Sequence, residues 1–460
     1  MSVNSFENYP MSWKPDLSKT SGPKYRALAA LLEEDVQNGV LKAGTKLPPQ
    51  RELADYLDVN LSTISRAFKL CEQKGLLSAS VGNGTYVSSG ATTEPMLLCG
   101  SETRKIIEMG AIVPAVECND KVKQYMEKML KRPDAPDLFS YGAPEGTRRH
   151  REAGAKWMRK SGFCTDSEHI VLAAGGQNAL TAALGAFFEQ GNKIGTDPLT
   201  YPGVKTAAKL LGIRLIPIRS HHNEMTEEGI QYAIQNENIR GLYVIPDFHN
   251  PTTHVMSVET RKMIARVARE RKLLVIEDGL NNLLEENPAP PIASFAPDDI
   301  VYLSSLSKTV SAGLRTAFIH VPNRYRQELV TALYSMNISI SPLLATVSAG
   351  LIEDGIADAI IAERKKKIVE RNLLVNQILD GHAVAGDLTC PLRYLQLPEH
   401  FTGRSFEICA EAAGVQVYGA ERFVIGNKPA PKTIRISVTT PASMEDLEEG
   451  LYRLKQLLDR

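Results

Sequence analysis

Ile300-Val301-Tyr302-Leu303-Ser304-Ser305-Leu306-Ser307-Lys308-Thr309-Val310-Ser311-Ala312-Gly313-Leu314-Arg315 is the stretch whose reading decides this chain. Its first four residues are an apolar run with the composition of a buried strand. Hydroxyls then crowd around one lysine, followed by a glycine and an arginine. A lysine becomes a nucleophile toward carbonyls once desolvation or a neighbouring cation frees its amine. Ser305, Ser307 and Arg315 have the donors to hold a phosphate, the hydroxyls singly and the guanidinium as a fork. Taken alone, the string also fits a surface lysine after a strand, so the surrounding pattern has to decide.

That pattern is an alternation of short apolar runs and helical periods. Ile170–Ala173, Lys193–Gly195, Gly241–Pro246 and Leu273–Ile276 read as strands. Leu215–Ile218 is a further one, weakened by Pro217, which cannot donate to a ladder. Helical periods lie between them, over Ala179–Phe188 and Met263–Glu270 for example. Such alternation predicts a mainly parallel α/β sheet, in which ligands sit beyond the carboxyl ends of the strands. The polar groups fall at those ends: Gly176, Asn250, Asp278 and Lys308. Gly176 and Gln177 open a helix and offer backbone N–H groups to an anion. Asp278 suits a protonated ring nitrogen, Asn250 a ring oxygen, and Tyr201 a stacking position on the ring face. Singly these are a helix turn, an ordinary turn, a strand cap and a half-buried aromatic. Together with Lys308 and its phosphate donors they point to pyridoxal 5'-phosphate.

The bulk composition sets the frame. The chain has 460 residues, enough for two or three domains, and 43 % of them are hydrophobic. Basic and acidic residues number 53 each, so no global attraction to nucleic acid or anionic lipid is implied. Six cysteines without metal-ligand spacing argue against zinc or a disulfide framework. No segment reads as a membrane span, and the polar start lacks a signal-peptide core, so a cytoplasmic protein is expected.

The first ninety residues have a different grammar. A helical period over Pro23–Val40 ends at Gly39, a second helix runs over Arg51–Leu57, and a third, capped by Asn60 or a neighbour, carries Ser62, Thr63, Ser65 and Arg66. A hairpin over Gly75–Val87 turns at Gly82-Asn83-Gly84. Three helices and a hairpin make a winged helix-turn-helix. Leu47-Pro48-Pro49-Gln50-Arg51-Glu52-Leu53-Ala54 and Gly82-Asn83-Gly84-Thr85-Tyr86-Val87 resemble the motifs of the GntR regulators. That resemblance implies double-stranded DNA as partner, with Arg51, Ser62, Thr63, Ser65, Arg66, Gly84 and Thr85 as contacts. Ten Lys and Arg against nine Asp and Glu in residues 1–88 make this half unusually neutral for such a role, and Leu61 stands where that family usually has an arginine.

From Pro114 onward the chain resembles the fold-type-I aminotransferases, on Tyr201, Asn250 in Asn-Pro-Thr, Asp278 in Val-Ile-Glu-Asp, and Lys308 with Ser305, Ser307 and Arg315. The resemblance implies that Arg435, in Thr433–Val438, grips a carboxylate, with a surface edge-strand arginine as the plain alternative. It also implies that Tyr141 reaches the phosphate of a partner subunit in a homodimer. The sequence departs from that family's pattern after Asp278, where Leu280 or Asn281 stands for a tyrosine, and at Thr253 and Ala312, which replace a glycine and a proline. Arg364-Lys365-Lys366-Lys367 reads as the solvated face of a long helix.

The two halves together resemble the MocR-type regulators. The fold expected is α/β, with a winged helix-turn-helix at 1–88, a linker at 89–113, and an aminotransferase-like domain at 114–460 whose smaller C-terminal part is α+β. The function implied is transcriptional regulation that senses an amino acid, amine or vitamin B6 vitamer through an aldimine on Lys308. The alternative is a working aminotransferase with a secondary DNA-binding domain.

Overall fold

The computed structural model describes residues 11–17, 22–37, 40–41, 44–73, 76–80, 84–87, 106–114, 116–426 and 428–460. The expected end of the first helix at Gly39 and the hairpin turn at Gly82-Asn83 lie outside them. The described residues fall into two compact units, a small one centred on residues 24–87 and a large one holding residues 106–423 and 431–460.

The small unit packs three helices and a hairpin. Helix α1 (Lys24–Gln37) buries Leu28, Leu32 and Val36 on one stripe. A short α2 (Gln50–Tyr56) contributes Leu53 and Ala54. In α3 (Leu61–Gln73), Ile64, Ala67, Phe68 and Cys71 are buried, the spacing of a core-facing helix. Asn60 caps α3, its Oδ1 accepting from the Ser62 N–H at 2.9 Å. Strands β1 (Leu77–Ser80) and β2 (Gly84–Val87) pair antiparallel, Leu77 opposite Val87.

Residues 106–113, read above as the end of the linker, are part of the large unit. Strand β3 (Ile107–Glu108) pairs there, and Met109 is fully buried. Helices α4 (Asn119–Leu130) and α5 (Arg148–Lys160) follow. The main sheet is then laid down by β4 (Ile170–Ala173), α6 (Gly176–Phe187), β5 (Lys193–Thr196), α7 (Pro202–Leu211), β6 (Arg214–Pro217), β7 (Ile239–Val244), α8 (Val258–Arg271), β8 (Leu274–Asp278), β9 (Ile300–Ser305) and β10 (Ala317–His320). Its order is β4-β10-β9-β8-β7-β5-β6, with only β10 antiparallel to its neighbours. Pro217 sits on the edge strand β6, where its missing N–H costs no ladder bond. Side chains alternate between two cores: in β8, Val275 packs toward α5 and α8, while Leu274 and Ile276 pack toward α6 and α7.

After helices α9 (Asn323–Asn337), α10 (Pro342–Glu353) and the 23-residue α11 (Ile356–Ile378) comes an antiparallel sheet. It holds β11 (Val384–Ala385), β12 (Leu392–Gln396), β14 (Tyr418–Gly419) and β15 (Thr433–Ser437) in the order β11-β12-β15-β14, while β13 (Val415–Gln416) pairs with β3. Helices α12 (Gly403–Ala412) and α13 (Met444–Leu458) complete this smaller α+β part. Among the described residues no helix is long and apolar enough to cross a membrane.

One buried ion pair braces the chain beside β7 and β8. Arg261 and Asp247 are both fully buried, with Nη2 and Oδ1 2.7 Å apart, and Asn282 Nδ2 donates to Asp247 Oδ2 at 3.0 Å. Asp247→Ala would leave a guanidinium buried without its counter-ion. The expected loss is about 3–5 kcal/mol of unfolding free energy, measured by urea denaturation of the large unit's transition.

Candidate functional site

Strand register gathers the polar residues. β8 and β9 run parallel with Asp278 opposite Leu303, so the turn after Ser305 brings Lys308 back toward the end of β8. The Asp278 carboxylate is buried; Tyr243 donates to its Oδ2 at 2.6 Å and the Leu280 N–H to its Oδ1 at 3.3 Å. Burial pushes this carboxyl above its usual range, with the two hydrogen bonds and the Lys308 charge opposing. Lys308 is partly buried and donates from Nζ to the Ile112 carbonyl. Desolvation first, then the charges of Arg435 and Arg315, push its amine down to about 8.

A second group of the expected residues gathers at the start of α6. Gly175 has φ +92° and no side chain caps the helix. That backbone conformation favours glycine, and a Cβ there would also lie 2.3 Å from Arg315 Nη2; one on Gly176 would lie 2.4 Å from Leu280 Cδ2, which would have to move aside. Arg315 reaches Ser307 Oγ at 3.4 Å and the Ala174 carbonyl at 3.3 Å, and Ser305 Oγ accepts from the Ser307 N–H at 2.9 Å. Tyr201, at the head of α7, donates to Gln177 Oε1 at 3.0 Å, and Gln177 donates to the Gly203 carbonyl at 3.0 Å. Burial pushes the Tyr201 phenol up to about 12, with the Asp278 charge adding to it.

Arg435 corrects the surface alternative. It lies on β15, an interior strand, and is wholly buried between the rings of Tyr418 and Phe423, at 5.3 and 5.0 Å. Its Nη1 donates to Asn250 Oδ1 at 2.7 Å and its Nη2 to the Gly110 carbonyl. That orients Asn250, which follows His249 and precedes a cis Pro251. Thr253, one of the departures noted above, has φ +64°, a left-handed conformation that glycine adopts more readily.

The reading of Arg364-Lys365-Lys366-Lys367 as a solvated face is corrected too. α11 buries every third or fourth residue, Arg364, Ile368, Arg371 and Val375, so the run straddles two faces. Arg364 is buried and donates to the Val310 carbonyl at 2.7 Å; Lys365 donates to the Glu285 carbonyl; only Lys366 is exposed.

Two parts of the site escaped sequence reading. Tyr243 sits in an apolar strand, and its signal was a hydroxyl that must find a partner once buried. The segment at Gly110–Ile112 carries its chemistry in backbone carbonyls, which leave no mark in a sequence. Tyr141 is not gathered with the rest in this chain: it is 85 % exposed.

In the small unit, Arg51, Ser62, Ser65 and Arg66 are exposed and Thr63 half-buried, on one side of α2 and α3. Ser65 Oγ is tied to Gln50 Oε1 at 2.7 Å. Gly84, at φ +102°, starts β2 next to the half-buried Thr85.

These geometries agree with what comparison with known proteins finds. Residues 24–87 match the bacterial regulatory proteins of the gntR family, and residues 104–454 match aminotransferase class I and II. The chain belongs to the MocR-type transcriptional regulators, a gntR-family head joined to an aminotransferase domain. It is 47 % identical to the HTH-type transcriptional regulator YdeF of Bacillus subtilis, over 100 % of this chain and 99 % of that protein. Among solved structures, an archaeal alanine:glyoxylate aminotransferase superposes with a TM-score of 0.71 at 21 % identity, covering 78 % of this chain and 91 % of that one. The α-aminoadipate aminotransferase LysN of Thermus thermophilus, complexed with N-(5'-phosphopyridoxyl)-L-leucine, gives 0.70 at 22 % identity, covering 77 % and 92 %.

The residues fit pyridoxal phosphate on their own chemistry. A buried carboxylate at Asp278 calls for a cationic partner, which a protonated ring nitrogen supplies. The uncapped start of α6 with Ser307 and Arg315 calls for an anion. The lowered Lys308 amine has a kinetic signature. Because its free base forms above about 8 rather than 10.5, pyridoxal phosphate attachment to the cofactor-free chain should rise with pH and level off above about 8. Arg435→Met removes a repelling charge and should move that midpoint upward. Borohydride trapping at a series of pH values measures both.

Proposed function

We propose that this protein is a cytoplasmic, homodimeric, DNA-binding regulator that carries pyridoxal phosphate on Lys308 and responds to a small amino compound. The observation that carries this reading is the convergence of Lys308, Asp278 and Arg435 in a chain that also holds a gntR-family head. When bound, the cofactor supplies an electrophilic carbon and an electron-withdrawing ring. Lys308 would hold it through Nζ, and Asp278, braced by Tyr243, would keep its ring nitrogen protonated. Asn250 would donate to its ring oxygen, Tyr201 would cover one face, and Gly176, Gln177, Ser305, Ser307 and Arg315 would hold its phosphate. Arg435, held by Asn250, would grip a carboxylate of the effector. The effector's amine would take the place of Lys308 Nζ.

Exposure supports the dimer and the DNA contacts. Phe139, Tyr141, Met336 and Ile338 are large apolar side chains left 70, 85, 41 and 42 % exposed, and the Gly142 N–H reaches Ser339 Oγ at 3.4 Å. A partner subunit covering them would bring its own Tyr141 to this site. In the head, α3 would enter the major groove with Ser62, Thr63, Ser65 and Arg66, while Arg51, Gly84 and Thr85 meet the backbone.

A ligand shifts a regulator only through different affinities for its two states. Lys308→Ala should therefore abolish the absorption band of the attached cofactor and the effector's influence on DNA affinity, while DNA binding without effector persists. An effector response that survives Lys308→Ala would refute the reading. In the head, Arg66→Ala should weaken operator binding by about 1–3 kcal/mol in gel-shift titrations at fixed salt. The lowered amine of Lys308 also suits a proton carrier, which favours transamination as the second reading. Conversion of the cofactor to its amine form, reversed by a keto acid, would establish that reading instead.

A further inference from the structure

The guanidinium read above as a carboxylate grip is enclosed by the protein itself. Arg435 is wholly buried, and the rings of Tyr418 and Phe423 cover it at 5.3 and 5.0 Å. Its N–H groups lie in the plane between those rings. There Nη1 donates to Asn250 Oδ1 at 2.7 Å and Nη2 donates to the Gly110 carbonyl, while Nε is buried without a hydrogen-bond partner. Neither acceptor is a carboxylate. Burial pushes this group down to about 10, with Tyr418 and Glu108 among the charges that oppose the fall. A guanidinium takes a carboxylate through two parallel N–H donors, and a charged acceptor binds it roughly twice as strongly as a neutral one. Nε shares such a fork with Nη2, so a carboxylate arriving there competes with the Gly110 carbonyl.

Gly110 belongs to a short segment pinned at both ends. Before it, the Met109 N–H donates to the Gln416 carbonyl at 3.0 Å, and the Met109 carbonyl accepts from the Ser437 N–H at 2.6 Å. After it, the Val113 N–H donates to Thr440 Oγ1 at 3.1 Å. Strand β3 ends at Glu108, so the residues between rest on side chains. The Gly110 and Ala111 N–H groups both donate to Glu108 Oε1, at 2.7 and 2.8 Å, and Thr440 Oγ1 donates to the Ala111 carbonyl at 2.6 Å. The Ile112 carbonyl accepts from Lys308 Nζ. Backbone held in this way opens at lower cost than the paired strand before it. Gly110 also lies close on Tyr418, where a Cβ would stand 2.7 Å from Cε1.

We propose that residues 110–112 are a strap over the carboxylate grip: the effector's carboxylate takes Arg435 by displacing the Gly110 carbonyl, so the strap lifts when the site fills. This rests on the reading that an effector carboxylate meets Arg435, and it names the regulation of that site. Asn250 keeps its bond to Nη1, because its Oδ1 faces Arg435 while its amide N–H groups remain for the cofactor's ring oxygen.

The test uses the full chain loaded with pyridoxal phosphate, with propionate as the probe and propionamide as its neutral match. Propionate should speed hydrogen exchange in the peptide covering residues 109–114 by about tenfold or more, while propionamide leaves it alone. Glu108→Ala removes the strap's inner hold, so propionate should then bind about three- to tenfold more tightly in calorimetric titration, the scale of a hydrogen bond no longer opposing it. Simple damage to the site would weaken binding instead. Glu108→Gln removes the charge but keeps the acceptor, and should gain little; a gain equal to that of Glu108→Ala assigns the effect to charge and overturns the strap. Propionate binding that is lost in Arg435→Met, yet leaves exchange at 109–114 unchanged, refutes the strap and keeps the grip. Binding that Arg435→Met does not move refutes both. Strap release by propionate, with no amino acid or amine shifting the cofactor's absorption, keeps the strap and refutes sensing at Lys308.

Discussion

A carboxylate and an amine held out of water at the ends of two neighbouring parallel strands are the constraint on which this structure turns. Asp278 ends β8, and Lys308 lies in the turn beyond β9. Burial alone raises the carboxyl and lowers the amine, so each approaches its neutral form. The surrounding groups decide how far. Tyr243 and the Leu280 N–H favour the ionised Asp278, while Arg435 and Arg315 favour the free amine of Lys308. A protein that must keep a reactive amine beside a charge-seeking carboxylate needs both sets.

Such a site has to be held rigid, and the bracing is polar as well as apolar. Beneath β8, the buried Glu277 accepts from the Ile292 and Ala293 N–H groups, both at 2.8 Å, pinning the chain that returns to β9. Trp157 of α5 donates to Ser304 Oγ at 3.1 Å and fixes the strand that leads to Lys308. Around these, β8 and β4 send alternate side chains into separate cores, which suits a sheet covered on both faces. Each brace acts on the backbone of a strand whose end carries chemistry, so geometry at the site is inherited from the sheet.

The second sheet has a different part. β15 carries Arg435 inward between two aromatic rings, and the carbonyls after it receive Arg371. Residues 107–112 run along this sheet: the Met109 carbonyl accepts from the Ser437 N–H at 2.6 Å and Thr440 Oγ1 donates to the Ala111 carbonyl at 2.6 Å. The first described stretch after the small unit is thus hydrogen-bonded to the strand that carries Arg435 and to the chain that follows it.

Much of this was written in local patterns. Period-two and period-3.6 alternation and glycines before α6 are short-range features, and they specified the parallel sheet, the winged helix and the strand ends where Lys308, Asp278, Asn250 and Gly176 lie. Long-range matters were not legible. Tyr243 reaches Asp278 only because β7 and β8 are neighbours, and Arg435 is buried only because β15 is interior. Of the α11 cations, Arg364 turns inward while Lys366 stays exposed, because the helix's rotation about its axis is set by what packs against it. Sequence by itself determined the elements and the residue types at their ends, since propensity and periodicity act over a few residues. Only the tertiary structure decided which charges share a cavity, because strand order, helix rotation and backbone carbonyls are products of packing between segments far apart in the chain.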